Sequence, residues 1–219
     1  MEFDLQTTEK LWGIVSRLPF ESKYLIELKR ETKINPALYF GTEIQHFVLE
    51  LGSGWGEVAI ELAKKNPHTG YILMEKNRDR LLVTIREIEK YGLKNIRLIC
   101  CNFNWFLKEL FIDSSFHTIV LNFPDPWPKK KHWHNRTVNQ EFLVTVHTLL
   151  KSKGRFLFAT DHGGYARFAI RIFRHNNLFV SVGSEYVFIR QAFPISKFEK
   201  EKRMENKTIY YLEKEKNEI

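Results

Sequence analysis

From Gln45 onward the apolar positions alternate between short strand-length runs and helical spacing. Residues 46–51 (HFVLEL) read as a strand, followed by the loop Gly52-Ser53-Gly54-Trp55-Gly56. A helix follows, with Val58, Ile60, Leu62 and Ala63 as its apolar positions. Residues 71–74 form a second strand ending at Glu75, and Asn77 is placed to cap the next helix. Leu81, Ile85 and Ile88 mark that helix, and Tyr91-Gly92 stops it. Strands at 96–100, 117–121 and 155–159 alternate with helices at 105–111, around Val138–Leu149 and around Tyr165–Ile172. Two further β-rich runs, 186–189 and 208–212, lack a full helix between them and predict antiparallel pairing at one edge, with a frayed tail at 214–218. The expected fold is α/β: a doubly wound, mainly parallel seven-stranded sheet with an antiparallel edge strand. Residues 1–40 show looser helical spacing over 9–18 and 22–33, broken at Leu18-Pro19-Phe20. They predict a helical extension ahead of one domain spanning 41–219.

Composition narrows the setting more than the fold. The 219 residues are 43% hydrophobic and 27% charged, ordinary for a globular protein, and no apolar run approaches bilayer length. The start lacks the basic and apolar regions of a secretory leader, so a cytoplasmic location without membrane attachment is expected. A net charge of +8 favours polyanionic partners. Cys100 and Cys101 are adjacent, a poor disulfide spacing, and read as free thiols. His132 and His134 have no third ligand nearby, so no metal is expected.

Two stretches carry candidate chemistry. In Glu50-Leu51-Gly52-Ser53-Gly54-Trp55-Gly56, alternate glycines let the backbone turn and approach a ligand closely. A dinucleotide fingerprint would need glycine at position 57, where Glu57 instead opposes a pyrophosphate. Glu75 at the second strand end suits ribose hydroxyls, Asn102 an adenine edge, and Glu50 a cationic amine. An acidic, phosphate-free nucleoside site of this kind matches S-adenosyl-L-methionine. The second stretch, residues 122–136, reads NFPDPWPKKKHWHNR. Its prolines exclude helix and central strand, holding Asp125 on a stiff loop beside Trp127, with a cationic tail behind. A carboxylate, an aromatic face and lysines suit a nucleic-acid base with its phosphates.

Together ELGSGWGE, FPDPWPKKKHW, the ATD of residues 159–161 and the SKFEKE of residues 196–201 resemble the bacterial tRNA (guanine-N7-)-methyltransferases, in matching order over residues 45–213. The glycine loop is generic to class I methyltransferases, whereas FPDPWPKK followed by a distant [ST]-x-F-E is far more specific. The resemblance implies a class I methyltransferase domain over 41–219, methyl transfer to N7 of a guanine in the tRNA variable loop, and tRNA as partner of a monomer or homodimer. It assigns Glu50, Gly52, Gly54, Gly56, Glu75 and Asn102 to S-adenosyl-L-methionine, and Asp125 to the active site with a contact to the cofactor. Lys129, Asp161, Ser196, Lys197, Phe198 and Glu199 fall to the target nucleotide. The chain departs from the family at His134-Asn135-Arg136 and over residues 200–205, where an Arg-rich composition is usual, and has Asn102 where aspartate is common.

Guanine N7 presents an in-plane lone pair without a proton, so its methylation needs positioning rather than a strong base, worth about 7–11 kcal/mol. The guanine Watson–Crick edge offers two adjacent donors to one carboxylate, and Asp125, Asp161 and Glu199 are each candidates for that grip. Asp161 also reads as a helix N-cap, Trp127 and Phe198 as core or stacking residues. Lys129, Lys130, Lys131, Arg136, Lys197 and Lys200 suit phosphates. Two other functions share these features: a class I methyltransferase acting on another RNA, a small molecule or a protein, and a non-catalytic RNA-binding module with a degenerate cofactor pocket.

Overall fold

The computed structural model describes residues 4–191 and 193–218. Its elements are, in order, α1 (Leu5–Val15), a 3₁₀ turn (Pro36–Tyr39), β1 (His46–Leu51), α2 (Glu57–Lys65), β2 (Thr69–Glu75), α3 (Arg78–Lys90) and β3 (Ile96–Cys100). There follow α4 (Phe103–Leu110), β4 (Phe116–Asn122), a second 3₁₀ turn (Lys130–Asn135), α5 (Gln140–Leu149) and β5 (Leu150–Thr160). The chain ends with α6 (Gly163–Arg174), β6 (Phe179–Ser181), α7 (Lys197–Met204) and β7 (Tyr210–Lys216). The seven strands lie in the order β3-β2-β1-β4-β5-β7-β6. The first five are parallel, and β7 runs antiparallel to both β5 and β6. The doubly wound, mainly parallel sheet is therefore as expected, with the antiparallel strand one place in from the short edge strand β6.

Both faces of the sheet are covered, which is why its central strands carry buried apolar residues on both faces. On one face Ala59, Ile60 and Ala63 of α2 and Leu81, Ile85 and Ile88 of α3 pack over Tyr71, Leu73 and Leu98. On the other, residues of α1, α4, α5 and α6 share a core with Leu49, Ile72, Ile119, Phe156 and Phe158. Helix α1, capped by Asp4, brings Trp12 into a stack on Phe106 at 4.4 Å between centroids.

Four local expectations are corrected. Residues 22–33 are not helical: Tyr24, Ile26 and Leu28 are buried with a period of two, and Leu25 bridges Leu98 in parallel along the outer edge of β3. Residues 186–189 contribute only an isolated bridge, Val187 to Tyr211, and the edge strand is β6 instead. Residues 197–204 form α7, announced by the S-x-x-E cap in which Glu199 N donates to Ser196 Oγ at 3.1 Å. The tail is not frayed from 214: β7 runs to Lys216, and Lys214 is buried with Nζ on Ser181 Oγ at 2.6 Å.

Gly56 joins the glycine loop to α2 in the left-handed region, φ +73°, and a Cβ there would lie 2.6 Å from Thr84 Cγ2. Gly56→Ala is expected to lower stability by about 1–2 kcal/mol from the backbone and a further ~1–3 from overpacking. Thermal unfolding of Gly56→Ala, Thr84→Ala and the double variant checks this: the two substitutions should couple, and additive shifts would place the clash elsewhere.

Candidate active site

The winding direction of the sheet reverses between β1 and β4. From β1 the chain moves outward to β2 and β3, and from β4 it moves the other way to β5. These central strands pair in parallel with Leu51 opposite Leu121, so Gly52 and Asn122 leave the sheet side by side. Divergent loops at such a point leave a crevice at the carboxyl ends of the strands. Here it is a cavity of about 1010 Å³. Gly52, Glu75 and Asn102 line one side, and Asn122, Phe123, Pro124, Asp125 and Trp127 the other. Trp12 from α1 and Phe103 and Phe106 from α4 close a further wall, to which no local pattern in residues 1–40 pointed.

On the first side Glu75 is buried at the end of β2, and its Oε2 accepts from Gly54 N at 3.0 Å, its Oε1 from Asn77 N at 2.8 Å. Each oxygen keeps a lone pair for a further donor. Arg80 Nη1 stands 3.6 Å from Oε2. Gly52 and Gly54 both hold positive φ, +71° and +60°, and nothing lies within 4 Å of where a Gly54 Cβ would point. Gly52 lines the cavity and Gly54 does not, so Gly54 stands next to it with the open backbone approach that a close ligand requires. Asn102 caps α4 by accepting from Asn104 N at 3.2 Å, which leaves its amide nitrogen available.

Glu50 does not line the cavity. It lies beneath it at 6% exposure, where burial and then the nearby Glu57 push its carboxyl up to about 8, against the opposing pull of Arg190 and a hydrogen bond from Asn122. Arg190 donates from Nη2 to Asn122 Oδ1 at 3.2 Å, and its guanidinium lies over Phe193 and Tyr211. Burial lowers its pKa to about 10, so it stays charged at neutral pH. Sequence reasoning passed over Arg190, which sits in a segment without periodicity.

On the second side the Asp125 loop is fixed at both ends. Phe123 N donates to Ala159 O of β5 at 2.8 Å, and Arg136 Nε donates to Pro126 O at 2.9 Å. Phe123 and Trp127 both take positive φ, +51° and +42°, a strained conformation that persists where its surroundings over-determine it. Arg136 is not a surface phosphate ligand as expected. It is 1% exposed and lies among the rings of Trp133, Tyr165 and Phe168, with centroids 4.6–5.0 Å from the guanidinium carbon. Asp125 and Trp127 remain exposed at the cavity.

The other predicted residues border the cavity region without lining it. Lys129 is exposed just before the second 3₁₀ turn. Asp161 is half-buried after β5, and the cap of α6 is His162, whose Nδ1 accepts from Tyr165 N. Gly56 is the N-cap of α2. Ser196 caps α7, Lys197 N donates to Glu57 Oε1 at 2.9 Å, and Phe198 packs on Phe123 at 5.0 Å, so α7 is docked against both loops. Glu199 departs from expectation: at 2% exposure its Oε1 accepts from Arg203 Nε at 2.9 Å and from the Tyr211 hydroxyl, which occupies it in holding α7 to β7. Of the three carboxylates considered for a base edge, Asp125 is the one on the cavity. Among the described residues no cluster of His, Cys, Asp and Glu converges as a metal site, and no helix is long and apolar enough to cross a membrane.

Solved structures share this architecture. TrmN from Thermus thermophilus superposes with a TM-score of 0.58 at 19% identity, over 80% of this chain and 45% of its own. The 16S rRNA methyltransferase KamB superposes at 0.60 with 11% identity, over 81% and 90%. At such identities the likeness shows the fold alone, and it is that of the class I methyltransferases. The methyltransferase family model Methyltransf_4 matches residues 44–212. A tRNA (guanine-N(7)-)-methyltransferase of Leptospira interrogans is 50% identical over 206 residues, 94% of this chain and 95% of that protein. One from Thermotoga maritima is 36% identical over 133 residues, 61% of this chain and 42% of its own. The chain belongs to the tRNA (guanine-N7-)-methyltransferase family.

The buried Glu50 generates a stability prediction. Its folded pKa lies above its unfolded value of 4.5, so its contribution to stability is fully present below about pH 4.5 and is lost as pH rises through about 8. Glu50→Gln should therefore raise the melting temperature at pH 8.5 and leave it little changed at pH 4, as thermal scans at the two pH values will show. A loss of stability at pH 8.5 would mean the carboxylate is well paired.

Proposed function

We infer that this chain transfers a methyl group from S-adenosyl-L-methionine to N7 of a guanine in tRNA, forming N7-methylguanosine. The observation that carries the reading is a single cavity lined by Gly52, Glu75 and Asn102 on one side and Asp125 and Trp127 on the other, in a chain of this family. The donor set fits the cofactor. Glu75 offers acceptors for ribose hydroxyls, Gly54 an unobstructed backbone, Asn102 an amide for the adenine edge, and Glu57 at the start of α2 disfavours phosphates. Glu50, buried beneath Asn122, is suited to a cationic amine, through Asn122 or water. When bound, S-adenosyl-L-methionine supplies an activated electrophilic methyl group.

The protein's task is then to hold the base. Asp125 accepts hydrogen bonds from the two adjacent donors of the guanine edge, and an adenine, with an acceptor there, would leave the carboxylate poorly paired. The same charge stabilises the cationic purine that methylation creates. Trp127 offers a ring for stacking, and Lys129, Lys130 and Lys131 face phosphates. Asp161, Ser196, Lys197 and Phe198 complete the nucleotide site from its border, with α7 held in place by Glu199. Helix α1 belongs to the catalytic unit, since its Thr8 and Trp12 wall the cavity. A cytoplasmic location fits a tRNA substrate and the free thiols of Cys100 and Cys101.

Asp125→Ala should cut kcat by about 10²–10³-fold while leaving the melting temperature unchanged, measured as N7-methylguanosine formed in tRNA; full activity in a folded variant would remove Asp125 from the mechanism. Cofactor affinity should also rise with pH, by up to about tenfold per unit between pH 6 and 8, because a bound ammonium favours the ionised Glu50. Titration calorimetry across that range tests it, and a flat profile, or one that Glu50→Gln shares, would show that Glu50 does not sense the amine.

A further inference from the structure

Away from the active-site cavity, the face of α6 forms one wall of an open groove of about 630 Å³ lined by Arg167, Ile170, Arg171, Arg174, His175 and Glu185. Residues 167, 171 and 174 recur at four and three positions, so their side chains share one face of the helix. Helices α1, α2, α3, α4 and α7 each carry both acidic and basic side chains, whereas α6 carries three arginines and no carboxylate. Glu185 neutralises only one of them, accepting from Arg174 Nε and Nη2 at 2.6 Å each. Arg167 and Arg171 stand exposed with no acidic partner among the described residues. Two guanidiniums four residues apart on an exposed helix face repel weakly, an anion bound between them would relieve that repulsion, and the planar fork of arginine matches phosphate oxygens.

The helix that bears the groove also touches the 3₁₀ turn that follows the Asp125 loop. Trp133 of the second 3₁₀ turn packs edge-on against Phe168 of α6 at 5.9 Å, and the buried Arg136 lies between them. Lys130 and Lys131 are exposed on that turn, so basic side chains stand on both elements that meet at this joint. From Gly163, just past the carboxyl end of β5, to Arg174 the helix extends about 16 Å, which places its arginines beyond the span of a single bound nucleotide.

We propose that the α6 groove binds the RNA backbone, with Arg167 and Arg171 on phosphates of the stem that flanks the target nucleotide, so that it recognises a folded RNA arm rather than the base. The proposal rests on the reading of the chain as a tRNA methyltransferase. It calls for Arg167→Gln/Arg171→Gln assayed on tRNA over a range of salt concentrations. The expected result is a KM for tRNA raised roughly tenfold and a log–log salt dependence shallower by about two, with kcat, cofactor affinity and melting temperature unchanged. An unchanged KM and salt slope, or a loss confined to kcat, would overturn the groove assignment while leaving the methyltransferase reading intact. Failure of the parent enzyme to methylate any tRNA would strike the reading itself. Replacing chloride by inorganic phosphate at constant ionic strength separates a free-anion site: inhibition that only the parent shows, with an unchanged salt slope, would overturn the RNA assignment.

Discussion

The parallel pairing of β1 with β4 is the constraint on which the rest of this structure depends. Because Leu51 stands opposite Leu121, the glycine loop and the Asn122–Trp127 loop emerge from neighbouring strands at the same height. Neither loop alone makes a site. One supplies open backbone for a nucleoside beside Glu75 at the end of β2, the other a fixed carboxylate and an aromatic ring. A register slip of one residue would turn every side chain of the displaced strand to the opposite face. The continuous burial of Leu49, Leu51, Ile119 and Leu121 between two helical layers makes such a slip costly.

Around that pairing the chain buries charge in a graded way. Arg136 lies within an aromatic enclosure and uses Nε to hold Pro126, which fixes the loop that carries Asp125. Arg190 holds Asn122 from behind, and Asn122 in turn reaches Glu50. Glu199 ties α7 to β7 through Arg203 and Tyr211, while the N-terminal backbone of α7 meets Glu57. Groups that resemble ligand contacts in a linear reading are thus divided between the cavity and its supports. The supports hold charges that are costly to leave unpaired, and this keeps the loops from relaxing when the cavity is empty.

Much of the fold was legible because the five parallel strands are short apolar runs bounded by glycine, asparagine or proline, and Asn77 and Gly92 punctuate α3 as their chemistry requires. What escaped had a long-range cause. Tyr24, Ile26 and Leu28 alternate like a strand, but the partner that makes them one is β3, some seventy residues on. Helix α7 is so polar that periodicity does not reveal it, although its S-x-x-E cap is a local signal. Within the site, Gly52, Glu75, Asn102 and Asp125 were legible from their places at strand ends. The turn of Glu199 toward Arg203, and of Arg136 into a ring cluster, depends on aromatic partners contributed by distant elements. No spacing rule distinguishes a buried arginine of this kind from one that meets phosphate.

The central claim is that a nucleoside pocket and a base-gripping carboxylate share one cavity at the reversal point of the sheet. A crystal structure of the protein soaked with S-adenosylhomocysteine tests it most directly. The ribose hydroxyls should lie on Glu75 and the sulfur should face the Asp125 side of the cavity. A nucleoside bound outside the cavity, or with its sulfur turned away from Asp125, would contradict the account.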